Sequence, residues 1–156
     1  MGEATVNLFG DEWDGGRDRP GWQWRRLGVA ERAGAERIGA SLYELAPGQK
    51  TFPYHWHQVQ EEWLIVLGGR PTLRDPSGER ELGPGDLVVF RRGPDGAHAI
   101  RNDTTEPVRL LMLSSDEDIP GEICVYPDSG KVGAFGSGLR MLLRADAEVD
   151  YFEGED

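Results

Sequence analysis

Two of the three histidines in this chain stand one residue apart, His55 and His57, in the stretch "HWHQVQEEWLIVLGG". In extended backbone, residues two apart point to the same side, about 6.6–6.8 Å from each other along the strand. Both imidazoles therefore project from one face, and a metal ion with M–N bonds of about 2.0–2.1 Å can accept both when the rings tilt toward a common point. Two donors from one strand leave such a site incomplete. Glu62 opens the next apolar alternation, with Leu64 and Val66 on its face. A carboxylate heading an otherwise apolar face requires a partner, and a cation is the simplest one.

The third histidine, His98, shares its face with Ile100, while Arg101 points the other way. A single inward histidine reads as a hydrogen-bonded core residue. Here the whole histidine inventory joins an acidic residue in one proposed set, His55, His57, Glu62 and His98. Three imidazoles and one carboxylate leave about two positions open on an octahedral ion, where water, oxygen or substrate can bind. Iron, manganese, nickel, cobalt and zinc all accept such nitrogen and oxygen donors, and affinity order does not choose among them. The ion could polarise a carbonyl or hydroxyl, acidify a water, or hold a chelating substrate during oxidation. No side chain stands out as a dedicated general base, so a metal-bound water is the default.

These donors need strands to hold them. Alternation is plain in Glu36–Leu45, where Ile38, Ala40 and Leu42 take one face and Arg37, Ser41 and Tyr43 the other. Further strands are expected near 51–56, 62–67, 72–75, 79–82, 87–91, 97–102, 108–114, 122–126 and 139–143. Clusters of Gly, Pro and Asp such as "APGQ", "GGRP", "DPSG", "GPGD" and "RGPDG" separate them as turns. The segment "PGWQWRRLG" adds an edge strand or an arm, with Trp22 and Trp24 on one face and packed together. Phe52, Tyr54 and Trp56 share a face and are expected to pack between sheets or subunits. Trp56 and Arg101 sit opposite the histidines and should not line the metal cavity. Many short strands with regular turns bury their edges in a closed barrel or a double-sheet jelly roll, so the expected class is all-β. Without a sustained helical period, helices should be short.

The chain length of 156 residues suits one domain, 1–156, with an arm over about 1–21 and an acidic tail over about 145–156 that holds six carboxylates. A formal net charge of -11 repels phosphate backbones and anionic lipid, which speaks against nucleic acid and membrane as partners and leaves a small-molecule substrate or ligand. The start "MGEATVNLFG" has neither the basic nor the apolar segment of an export signal, and the lone Cys124 fits a reducing cytosol; a cytoplasmic protein is expected. Cys124 reads as a small buried apolar residue. "DSGKVG" lacks the glycine and the hydroxyl residue of a phosphate-binding loop, so Ser129, Gly130 and Lys131 read as a turn, with Lys131 available to an anion at a pocket mouth. The sequon at Asn102 should stay unmodified in a chain that is not exported.

The spacing resembles the cupin superfamily. Its first motif is matched by Gly48, His55, His57, Glu62 and Gly69, and its second by Gly85 through Asn102, including Pro94, Gly96 and His98. Glu61 satisfies the shorter spacing from His57, but Glu62 also leaves six residues before Gly69. The motif core covers about 48–115. The chain resembles more closely a group of small bacterial single-domain cupins, some of them proposed sugar-phosphate isomerases, that share the segment "YPDSGKVG". Two departures stand out: six residues separate Gly48 from His55, and one residue where the family has two separates Gly96 from His98. The resemblance implies a double-stranded β-helix (jelly-roll) barrel and a homodimer. It also implies a metalloenzyme of isomerase or dioxygenase type, with a non-catalytic ligand-binding cupin as the alternative. A fold so widely reused does not name the reaction.

Overall fold

The computed structural model describes residues 5–115, 121–136 and 138–155; residues 1–4 of the expected arm and 156 of the expected tail lie outside the described residues. Among the described residues thirteen strands and one short α-helix follow in order: β1 (Gly15–Arg17), β2 (Trp24–Gly28), α1 (Val29–Ala33), β3 (Ile38–Leu45), β4 (Trp56–His57), β5 (Glu62–Gly68), β6 (Thr72–Asp75), β7 (Gly78–Glu81), β8 (Leu87–Phe90), β9 (Ala99–Arg101), β10 (Val108–Ser115), β11 (Glu122–Tyr126), β12 (Lys131–Gly136) and β13 (Leu139–Arg144). The all-β class and jelly-roll architecture expected from the sequence are what forms. No helix among the described residues is long and apolar enough to cross a membrane.

One sheet carries six strands in the order β1-β2-β3-β10-β5-β8, facing a four-stranded sheet β13-β12-β11-β4 and a three-stranded sheet β7-β6-β9. The two smaller sheets are joined by the isolated antiparallel bridge of His55 to His98, and Lys50 adds a second such bridge to Arg101 of β9. Leu45, Leu64, Val66, Leu73, Ile100, Val108 and Leu110 fill the core between the sheets. The period of two explains β5 and β10: Leu64 and Val66, and Val108, Leu110 and Met112, point inward while their neighbours do not.

Several expectations are corrected. On β3 the core-lining face is that of Tyr43 and Leu45, whereas Leu42 is buried on the opposite side, paired with buried Leu27 of β2 beside α1. Both faces of this strand are covered, so alternation alone could not say which one looks into the barrel. The expected strand over 51–56 shrinks to β4 and the bridge at His55, because Pro53 offers no N–H to a ladder. Lys131, read as part of a turn, begins β12, which was not foreseen and pairs with both β11 and β13. Trp22 precedes β2 and lies beneath the Lys50 ammonium, while Trp24 packs edge-on against Tyr43 and beside Phe52. Part of the N-terminal arm, β1, pairs with β2 at the sheet edge.

Candidate metal centre

The four sequence-selected side chains converge. His55 comes from the bridge before β4, His57 from β4, Glu62 from the start of β5, and His98 from the turn before β9. His55 Nε2 lies 3.1 Å from His57 Nε2. Glu62 Oε2 lies 3.0 Å from His57 Nε2 and 3.3 Å from His98 Nε2. Donor atoms of His55, Glu62 and His98 all fall within 4.8 Å of one another. An octahedral ion with bonds of about 2.1 Å places neighbouring donors about 3.0 Å apart, which is the spacing found.

Hydrogen bonds on the far side of each ring decide which nitrogen faces the centre. His55 Nδ1–H donates to the Pro53 carbonyl at 2.8 Å, and His98 Nδ1–H donates to the Gly96 carbonyl at 3.0 Å. Each leaves a lone pair on Nε2, the arrangement that metal-binding histidines adopt. The lone pair of His98 then looks at a buried carboxylate oxygen 3.3 Å away and has no hydrogen-bond partner of its own. Two facing lone pairs repel unless a cation or a proton stands between them. The donor set therefore fits a divalent transition ion.

Local structure supports these positions. Gly96 closes a tight 3-10 turn so snug that a Cβ there would fall 1.7 Å from the Arg91 carbonyl oxygen, and its own carbonyl orients His98. The short Gly96–His98 spacing is thus accommodated by the turn. The Phe90 ring stacks on His98 with centroids 3.7 Å apart and planes 9° from parallel. Tyr126 stacks on His55 at 5.8 Å. Behind His57, Cys124 Sγ stands 3.3 Å from Nδ1 and Glu122 Oε1 3.8 Å. His57, Glu122 and Cys124 form a second group of potential donors.

Electrostatics follow the geometry. Burial, reinforced by the two neighbouring histidines, lowers His55 to about 4, so it stays neutral. Burial opposes charge on Glu62 as well, but His57 and His98 outweigh it and hold the carboxyl well below the usual range. For His57, burial is overcome by Cys124 and Glu62, which raise it to about 10. Without an ion, a proton on His57 compensates the carboxylate; an ion would have to displace it.

The centre opens into a cavity of about 460 Å³ whose wall includes Arg26, Ser41, Tyr43, Phe52, Ser114 and Tyr126. That volume suits a small molecule. Trp56 and Arg101 stay out of it, as expected; Arg101 instead pairs with Glu79. Phe52, Tyr54 and Trp56 do not act as one packing face: Phe52 lies against Tyr43 and His55 in the cavity wall, and Tyr54 lies under the Arg74 guanidinium. Lys131 faces a different groove, with Lys50, Arg74 and Arg101. Asn102 is fully buried, bonded to the Leu45 and Glu106 carbonyls and accepting from Thr104, which makes it a structural turn residue. Sequence reasoning missed Phe90, Tyr126, Glu122 and the contact role of Cys124. Only the alternation that puts Glu122, Cys124 and Tyr126 on one face of β11 hinted at the last three.

Residues 41–114 match the family model of the cupin domain. Among curated proteins none matches the chain in sequence. A proposed sugar phosphate isomerase from Acidithiobacillus ferrooxidans is 27% identical, with 84% of this chain and 82% of that one aligned at a TM-score of 0.76. A cupin-superfamily sugar phosphate isomerase from Silicibacter pomeroyi is 25% identical over 96% and 98% of the two chains, at a TM-score of 0.81. The polyketide cyclase RemF from Streptomyces resistomycificus is 28% identical over 61% of this chain and 65% of that one, at a TM-score of 0.50.

Proposed function

We propose that this chain, a member of the cupin superfamily, is a small-molecule metalloenzyme that isomerises a phosphorylated sugar, with His55, His57, Glu62 and His98 holding a divalent iron, manganese, nickel, cobalt or zinc ion. The observation that carries the reading is the buried Glu62 Oε2 and His98 Nε2, facing each other at 3.3 Å beside two more imidazoles at the floor of an open cavity. A bound ion would supply a Lewis acid and an acidified water. The substrate class is supported by two solved structures described as sugar phosphate isomerases, one aligned over 96% of this chain and the other over 84%. The cavity wall offers complementary groups. Burial raises the Tyr43 phenol, which keeps its proton and can donate to a substrate oxygen, and Ser41 and Ser114 add hydroxyls. Arg26 reaches the same wall, bonded to Ser41 Oγ at 3.0 Å and paired with Glu31 at 3.0 Å, as a cation that an anionic group would have to share with that carboxylate. A homodimer belongs to the same proposal, supported by the exposed apolar side chains of β13.

The test is an anaerobic incubation of aldose and ketose phosphates with the chain reconstituted in turn with each of the five metals, followed by NMR of the sugar carbons. Interconversion that disappears in His98→Ala supports the proposal. A strict requirement for oxygen would move the assignment to oxygenase chemistry, and retention of a sugar phosphate without conversion in every metal state would leave a binding protein.

A further inference from the structure

We propose that Glu122 of β11 is a positioning residue for this centre, acting through the connector that joins two of its ligands; the inference rests on the metal-binding reading above. His57 ends β4 and Glu62 begins β5, so only residues 58–61 separate two donors that must meet at 3.0 Å. A connector this short can present the pair in many ways. The Glu122 carboxylate selects one: Oε1 accepts from the Gln58 amide at 2.9 Å and the Val59 amide at 3.3 Å, and Oε2 from the Gln60 amide at 2.8 Å. Three successive N–H groups wrapped around an anion make a concave donor nest, here filled by a side chain from a strand far along the sequence. The next amide, Glu61, is held by Ser115 Oγ at 3.0 Å. Every amide between the two ligands thus has a side-chain acceptor.

The same strand fixes the ring at the connector's start. Cys124, two residues on and therefore on the same face as Glu122, sets its sulfur 3.3 Å from His57 Nδ1. Glu122, Cys124 and His57 could in principle share an ion of their own. The carboxylate argues against it, because both of its oxygens already accept backbone hydrogen bonds. β11 is an outer shell: one residue grips the loop and the other backs the imidazole, leaving Nε2 to face Glu62. Such partners set ligand orientation, and their loss typically costs about 10–100-fold in metal affinity.

The experiment compares wild type, Glu122→Gln, Glu122→Asp and His98→Ala, each stripped and titrated with Zn2+ against a chromophoric chelator, then loaded with Co2+ for its visible absorption spectrum. In Glu122→Gln the new amide meets the Gln60 N–H donor to donor and the connector loses its anion. The expected result is Zn2+ affinity reduced about 10–100-fold with altered Co2+ bands in a folded chain. Glu122→Asp, which keeps the charge on a shorter arm, serves the same comparison if the glutamine variant does not fold. A loop staple with no bearing on the ligands would lower the unfolding temperature but leave Zn2+ affinity and the Co2+ spectrum as in wild type, and that result overturns the proposal. A sulfur-to-cobalt charge-transfer band that vanishes in Cys124→Ser would make β11 a direct ligand source and overturn it too. Wild type that takes up neither Zn2+ nor Co2+ would instead sink the metal reading itself.

Discussion

His55 and His98 are a directly opposed, hydrogen-bonded antiparallel pair: His55 N–H donates to the His98 carbonyl at 3.1 Å and His98 N–H to the His55 carbonyl at 2.9 Å. Side chains so opposed lie on one face a few ångströms apart, and here their ring centroids are 4.7 Å apart. Two donors of the candidate centre are therefore registered by main chain rather than by rotamer choice. The bridge that joins the two smaller sheets is also the bridge that assembles the centre.

Because the backbone holds this pair, removing one ring should delete a donor without displacing the other. His98→Ala should bind a divalent ion more than about 100-fold more weakly than wild type, exceeding the loss expected for an outer-shell residue. His98 is also fully buried against Phe90, so the metal-free variant should be less stable by about 2–4 kcal/mol from the cavity left behind. Calorimetric titration and denaturant unfolding separate the two effects. Unchanged metal affinity would break the ligand assignment.

An ion that satisfies the buried Glu62 and His98 atoms binds the native chain and not the unfolded one. At about a thousandfold excess over its dissociation constant it should add about 4 kcal/mol of stability. Thermal unfolding of wild type should rise on reconstitution and fall back on chelation, and His57→Ala should be insensitive to both. A wild-type midpoint indifferent to metal and chelator would contradict this.

The neutral state of His55 predicts an acid sensitivity in the metal-free chain. Its folded value, about 4, lies below the ordinary 6.5, so between these the unfolded chain binds the extra proton. Stability from this group is then complete above pH 6.5 and drains away as pH falls toward 4, by up to about 3 kcal/mol. Denaturant unfolding across this window should show the slope in wild type and a shallower one in His55→Gln. Metal affinity should weaken over a wider range, as pH falls from about 10, because the ion must displace the proton held on His57. A pH-independent wild-type midpoint would remove the basis for a neutral, desolvated His55.

What was legible in the sequence is local. His55 and His57 two apart, and Glu62 ahead of Leu64 and Val66, follow from the strand period alone, and His98 follows from Ile100. Family spacing selected Glu62 over Glu61, and the structure places Glu62 among the rings while Glu61 accepts from the Trp63 indole. What was not legible depends on chain segments meeting from afar: Cys124 reaches His57 across 67 residues, and Glu122 reaches Gln60 across 62. β12 was hidden because the turn signal at Ser129–Gly130 runs straight into it, and its glycines and alanine carry no apolar alternation. Tyr43, read as opposite to the apolar side of β3, faces the core because that strand is covered on both sides.

One surface feature bears on assembly. Every residue of β13 is exposed, and Leu139, Met141 and Leu143 form a row on one face, 50%, 40% and 52% exposed respectively. β13 is also the outer strand of its sheet, with one edge of its backbone unpaired by any other named strand. Covering half of each of these side chains is worth about 1 kcal/mol apiece, and a two-fold interface counts every contact twice. A second copy of the chain laid against this row would bury it, in keeping with the homodimer proposed above. Replacing Leu139 and Leu143 together by Glu should convert a dimer to a monomer in sedimentation velocity, with metal content unchanged because the row lies outside the residues that line the centre. Wild type sedimenting as a monomer would reject the homodimer, and a double variant that remains dimeric would move its interface away from β13.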